Sequence, residues 1–114
     1  MANAHRGEIV AELGGNTYTL CLTLGALAEL ESAFGAEDLT ALAGRFETGA
    51  LSARDLVKII ACGIRGGGNS MSDDEVAGMT VSEGVRGYVS IASQLLAVTF
   101  AGSQTEADTT RSPL

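Results

Sequence analysis

From Glu8 to Leu13 the chain alternates, with Ile9, Ala11 and Leu13 on one side and Glu8, Val10 and Glu12 on the other. After Gly14-Gly15-Asn16, the residues Tyr18, Leu20 and Leu22 alternate with Thr17, Thr19, Cys21 and Thr23. A period of two, broken by residues that tolerate positive φ, predicts an antiparallel β-hairpin over about residues 6–23. A lone hairpin is marginal in water, so its apolar face needs a partner.

Near Thr23 the period lengthens to that of a helix. Leu24, Leu27, Leu30 and Phe34 form a stripe, with Glu29 and Glu31 off that line and Gly35 as the stop. A short helix follows, with Glu37 and Asp38 in its first turn and Leu39, Leu42, Ala43 and Phe46 facing inward; Gly49 closes it. Ser52 and Asp55 then read as a capping box, with Leu51 and Leu56 as the hydrophobic staple. This third helix buries Leu56, Ile59, Ile60 and Gly63, keeps Arg54, Lys58 and Arg65 largely outside, and breaks at Gly66-Gly67-Gly68-Asn69.

The same start grammar recurs in Met71, Ser72, Glu75 and Val76, which open a short helix ending near Gly78. Thr80 with Glu83 opens a last, long helix whose inward face carries Val85, Tyr88, Val89, Ala92, Leu95, Leu96 and Phe100. Residues 103–114 show no periodicity and read as a disordered tail. The predicted fold is therefore α+β, mostly α: an N-terminal antiparallel β-hairpin packed on four to five helices, about residues 24–101, in one domain over 1–102. Leu27, Leu30, Phe34, Leu56, Ile60 and Leu96 are its expected core.

At 114 residues there is room for one core and not two. Hydrophobic residues make up 46% and charged residues 18%, which excludes a disordered acidic chain. The net charge of −7 argues against nucleic acid and anionic membranes, both of which demand a basic surface. The uncharged stretch from Gly87 to Thr105 is interrupted by Ser90, Ser93, Gln94 and Thr99, so no membrane span is expected. Cys21 and Cys62 lie among apolar neighbours and read as reduced core thiols of a cytoplasmic protein.

Candidate chemistry is sparse. The single histidine, His5, stands near the N-terminus with no Cys or carboxylate pair, so neither a metal site, which wants about four ligands, nor a hydrolytic triad can be assembled. Gly63-Ile-Arg-Gly-Gly-Gly68 resembles a phosphate loop only superficially: its glycines end a helix instead of opening one, and no Lys follows. Ser72-Asp-Asp-Glu75 has the order of a helix cap and not of an EF-hand. An acyl carrier protein would need a serine in an Asp-Ser-Leu context, which is missing. No catalytic residue, cofactor or metal is assigned. What remains is the last helix, where Gly87, Ser90, Gln94, Ala97 and Ala101 form a small, uncharged stripe opposite the apolar one. Solvated helix faces usually carry Glu and Lys, so this stripe is the candidate face for contact with a partner protein.

A longer pattern carries a resemblance. The run Tyr18–Glu31 (YTLCLTLGALAELE), Phe34-Gly35, Leu51–Leu56 (LSARDL) and Arg65–Gly68 (RGGG) resembles the gene transfer agent family of small alphaproteobacterial proteins from prophage-like tail clusters, over roughly Arg6 to Phe100. The resemblance implies a tail protein, described either as a tail tube protein or as a tail assembly chaperone, with no catalytic residues. Tail tubes are stacked rings of β-sandwich or barrel-like subunits whose sheets join between neighbours, and this chain offers one hairpin. The expectation is thus a non-enzymatic assembly chaperone for a tape-measure or tail tube protein, with a structural, particle-associated tube component as the alternative. A homo-oligomer is compatible with both.

Overall fold

In the computed structural model the described residues are 6–48, 51–81 and 83–111, with side chains through Phe100. The expectations for His5 and Gly49 fall outside them. Two strands, β1 (Glu8–Leu13) and β2 (Asn16–Cys21), precede five helices: α1 (Leu24–Phe34), α2 (Leu39–Glu47), α3 (Ala53–Gly66), α4 (Asp73–Ala77) and α5 (Val85–Arg111). The architecture is α+β and mostly α, as the change of period predicts.

β1 and β2 pair antiparallel in the register Leu13↔Asn16, Ala11↔Tyr18, Ile9↔Leu20. Gly14 (φ 58°) and Gly15 (φ 84°) both sit in the left-handed region, the requirement of a two-residue type I′ turn whose twist matches that of the strands. Ile9, Ala11, Leu13 and Leu20 are buried on one face. α3 lies behind that face and is the hub of the core, burying Leu56, Ile59, Ile60, Ala61, Cys62, Gly63 and Ile64. Complete burial of an Ile side chain contributes about 2–3 kcal/mol, and Ile59, Ile60 and Ile64 are all fully enclosed.

The starts of α3 and α4 form as their sequences dictate. Ser52 Oγ accepts from Asp55 N (3.1 Å) while Asp55 Oδ2 accepts from Ser52 N (3.1 Å). Ser72 and Glu75 repeat this arrangement at 3.1 and 2.9 Å. Each box satisfies two backbone donors that a helix start otherwise leaves orphaned. α1 is capped by Thr23 at its start and by Gly35 in the left-handed conformation at its end.

The outer parts of the core differ from expectation. Leu27, Leu30, Leu56 and Ile60 are buried, whereas Phe34 and Leu96 are half-buried. Phe34 meets Phe46 edge-on at 5.5 Å, at the rim where α1 and α2 converge. Leu24, first residue of α1, is 78% exposed because it precedes the helix's crossing of the core. α5 does not begin with a Thr80–Glu83 box: Glu83 (φ 72°) and Gly84 (φ 59°) are left-handed, so the helix starts at Val85. Its backbone continues to Arg111, where a disordered tail over 103–114 was expected; Ser112 to Leu114 are not among the described residues. Between Ser103 and Arg111 the sequence holds no Gly or Pro that would break a helix.

Candidate protein-interaction surfaces

α5 carries the predicted stripe, and the structure divides it. Ser90, Gln94 and Ala97 are exposed, and Gln94 Nε2 donates to Ser90 Oγ (3.1 Å), so the two polar groups partly satisfy each other. Gly87 is buried, which removes it from the outward face, and the side chain of Ala101 is not described. The inward line is Gly87, Ile91, Ala92 and Leu95, in place of the predicted line through Val85 and Val89. Those two valines are 72% and 44% exposed and extend the outward face with apolar surface. Alongside runs a shallow cleft of about 270 Å³ between α2 and α5, lined by Phe46, Ser93, Leu96, Ala97 and Phe100 and bordered by the carboxylate-bearing Glu47.

The sheet offers two edges, and they are not equivalent. The type I′ turn makes Leu13/Asn16, Ala11/Tyr18 and Ile9/Leu20 the hydrogen-bonded pairs. The backbone groups of Thr17, Thr19 and Cys21 therefore point out from β2, and those of Val10 and Glu12 from β1. The β2 edge is occupied: the Thr19 carbonyl lies against Gly67 and the Cys21 carbonyl against Gly66, so closely that a Cβ at either glycine would collide with the oxygen. Asn69 Nδ2 adds a long contact to Thr19 O (3.5 Å). On the β1 side, the Gly14 N–H donates to the Thr80 carbonyl (2.7 Å), while among the described residues no backbone partner meets the outward groups of Val10 and Glu12.

A third feature is a cluster of four charges on α1, α3 and α4. Lys58 Nζ contacts Glu29 (2.9 Å) and Asp73 (3.0 Å), while Arg65 contacts Glu29 (2.7 Å), Asp73 (3.0 Å) and the Met71 carbonyl (2.9 Å). The hydrogen bond from Lys58 holds the Glu29 carboxyl below its ordinary pKa. Partial burial pushes Asp73 the other way, but hydrogen bonds from Lys58 and Arg65 outweigh it and its pKa is lowered too. The bonds to Glu29 and then Asp73 raise the Lys58 ammonium. Every charge has two opposite partners, so the cluster ties helices together and leaves no free acid or base. Beneath it, burial and then the Glu29 charge push the Cys62 thiol up to about 11, which makes it a poor nucleophile.

A concavity of about 640 Å³ opens between α1, α2, α3 and α4 beside this cluster. Its charged lining is largely engaged: Lys58 and Asp73 pair, and Arg45 stacks 5.2 Å above the Phe34 ring and approaches Asp55 at 3.8 Å. Among the described residues no group of three or more His, Cys, Asp and Glu could hold a metal, and no helix is long and apolar enough to cross a membrane.

A family comparison decides the broader assignment, for residues 6–102 match the model of the family described as phage tail tube protein, GTA-gp10. The chain belongs to this family. It is a gene transfer agent tail-type protein, in agreement with the pattern of its hairpin, first helix and Leu51–Leu56 segment. No curated protein and no solved structure significantly matches it.

Sequence reading placed Ser90, Gln94 and Ala97 on an outward stripe, and all three are exposed; Gly87, placed there too, is buried, because α5 is apolar on several sides and spacing alone does not choose among them. The same reading missed the edge asymmetry, whose signal lay in the consecutive glycines ending α3. It also left Arg65 and Lys58 outside, although both join carboxylates far away in sequence.

Proposed function

We propose that this chain is a tail assembly chaperone of a gene-transfer-agent particle, a non-enzymatic protein that holds a tape-measure or tail tube protein in the producing cell's cytoplasm. The observation that carries this reading is the covered β2 edge of the sheet. A tube ring whose sheets join between neighbours needs an acceptor edge on each side of every subunit, and here the β2 edge is filled by Gly66 and Gly67. The acidic balance of −7 complements a basic client, and the uncharged face at Ser90, Gln94 and Ala97 supplies contact without charges to desolvate.

The family's description as a tail tube protein fits a second reading at least as well: a structural component retained in the particle. Quantitative mass spectrometry separates the two. A chaperone co-purifies with tape-measure or tube protein from assembling cells and is absent from mature particles, whereas a tube component is present there in many copies. Replacing both Ser90 and Ala97 by Glu tests the α5 face. The chaperone reading expects client capture to be lost with the fold intact, because two carboxylates would be buried unpaired. Glu37→Gln, on an exposed segment, is the control and should capture normally.

A further inference from the structure

The apolar wall of the α2–α5 cleft runs on beyond the cleft itself. Leu96 and Phe100 form that wall, and toward the start of α5 the same line passes through Ser93 to Val89 and Val85. The spacing 85, 89, 93, 96, 100 keeps all of them within an arc of about 80° on a helix of 3.6 residues per turn. Single exposed apolar residues are ordinary, but a line of them continuing a cleft marks a contact surface. Two charges border it: Arg86 beside Val85, and Glu47 at the far end, next to Phe46, whose ring meets that of Phe100 at 6.3 Å. Both are exposed, and neither forms an ion pair among the described residues.

A seam with opposite charges at its two ends complements itself when a second copy is turned end for end. Antiparallel pairing about a two-fold axis near Ser93 sets Val89 against the copy's Leu96 and Val85 against its Phe100, with Arg86 beside its Glu47; each contact then occurs twice. A parallel pair would set Arg86 against Arg86 and Glu47 against Glu47. The seam itself carries no charge, which keeps the chain's acidic excess out of the contact. We propose that the α2–α5 cleft and the valine line of α5 form the contact between two antiparallel copies of this chain. The pairing holds whether the chain acts as a chaperone or remains in the particle. Ser90 and Gln94, each one residue beyond the seam and so about 100° round the helix, stay open to a client.

Sedimentation velocity of the full chain from micromolar to millimolar concentration tests it, with circular dichroism to confirm that each variant is folded. The parent chain should pass from monomer to dimer and go no further. Val89→Glu, at an exposed position, should raise the dimer dissociation constant by about 100-fold or more, because pairing would bury two unpartnered carboxylates. Arg86→Glu and Glu47→Arg should each weaken the dimer by about tenfold, and the two together should restore it. Gln94→Glu, off the seam, should leave the dimer unchanged. If Val89→Glu does not fold, the charge exchange decides. A chain that stays monomeric at millimolar concentration would leave the cleft to another protein and overturn the proposal. So would association beyond a dimer, a dimer indifferent to a folded Val89→Glu, or an exchange that fails to restore what the single variants lost.

Discussion

α3 and α5 are both helices against the same hairpin, yet they are built on opposite plans. α3 is embedded: Leu56 and the six consecutive residues from Ile59 to Ile64 are buried, a capping box holds its start, and Lys58 and Arg65 are locked to carboxylates of two other helices. α5 turns Gly87, Ile91, Ala92 and Leu95 inward and leaves Val85, Val89, Ser90, Gln94 and Ala97 in water, with no ion pair on the described part. On α3 the charges of Lys58 and Arg65 are spent on the fold itself. The contrast separates a helix enclosed by the fold from one that keeps an uncharged face in water.

The largest test of this division is in α3. Ile60→Ala, at a fully buried position, should cost about 2–5 kcal/mol, visible as a lowered midpoint in urea unfolding. The matched change Val89→Ala in α5 should stay within about 0.5 kcal/mol. Similar losses at the two sites would erase the distinction.

Gly67→Ala comes next. Its methyl group would drive into the Thr19 carbonyl, and an overpacked contact of this kind costs about 1–3 kcal/mol. A parental melting temperature for this variant would mean that the end of α3 does not seat on β2.

The charged rim of α3 gives a smaller, pH-dependent effect. Glu29 and Asp73 have folded-state pKa values below their ordinary ones, so their contribution is present above about pH 5 and is lost as pH falls through about 4 and below. Lys58 is shifted up, so its contribution is lost only in strongly alkaline solution. Both carboxylates are about 40% exposed, and solvent screening limits each to about 0.5–1 kcal/mol. Glu29→Gln should flatten the acid limb of a stability–pH curve, and an unchanged limb would remove the cluster from the fold's support.

Smallest of all on stability is the double replacement of Ser90 and Ala97 by Glu, expected within about 0.5 kcal/mol of the parent by thermal melting. A large loss would show that this face packs inward.

The sequence was most informative where the cause is local. The turn at Gly14-Gly15, both capping boxes and the Gly35 stop need only a few neighbouring residues to be specified, and they form where the sequence puts them, except that Asn16 belongs to β2 and not to the loop. The rotation of α5 was not legible: Val85, Val89, Ile91, Leu95 and Leu96 offer several apolar lines, and the hairpin and α3 select one. Phe34 follows the stripe of α1 but lies beyond the end of the core, a matter of where α2 stops and not of spacing. The covered β2 edge depends on a contact between Thr19 and Gly67 across the fold, which no single segment encodes.

Cys62 also makes the molecule self-reporting. Its thiol is enclosed at the centre of α3 and stays protonated at pH 8, while Cys21 sits half-exposed on β2. An alkylating reagent can modify Cys62 at an appreciable rate only in the fraction of molecules whose α3 has opened. The alkylation rate of Cys62 therefore measures, without an added probe, how often the hub comes apart, and a bound partner that clamps α3 would slow it.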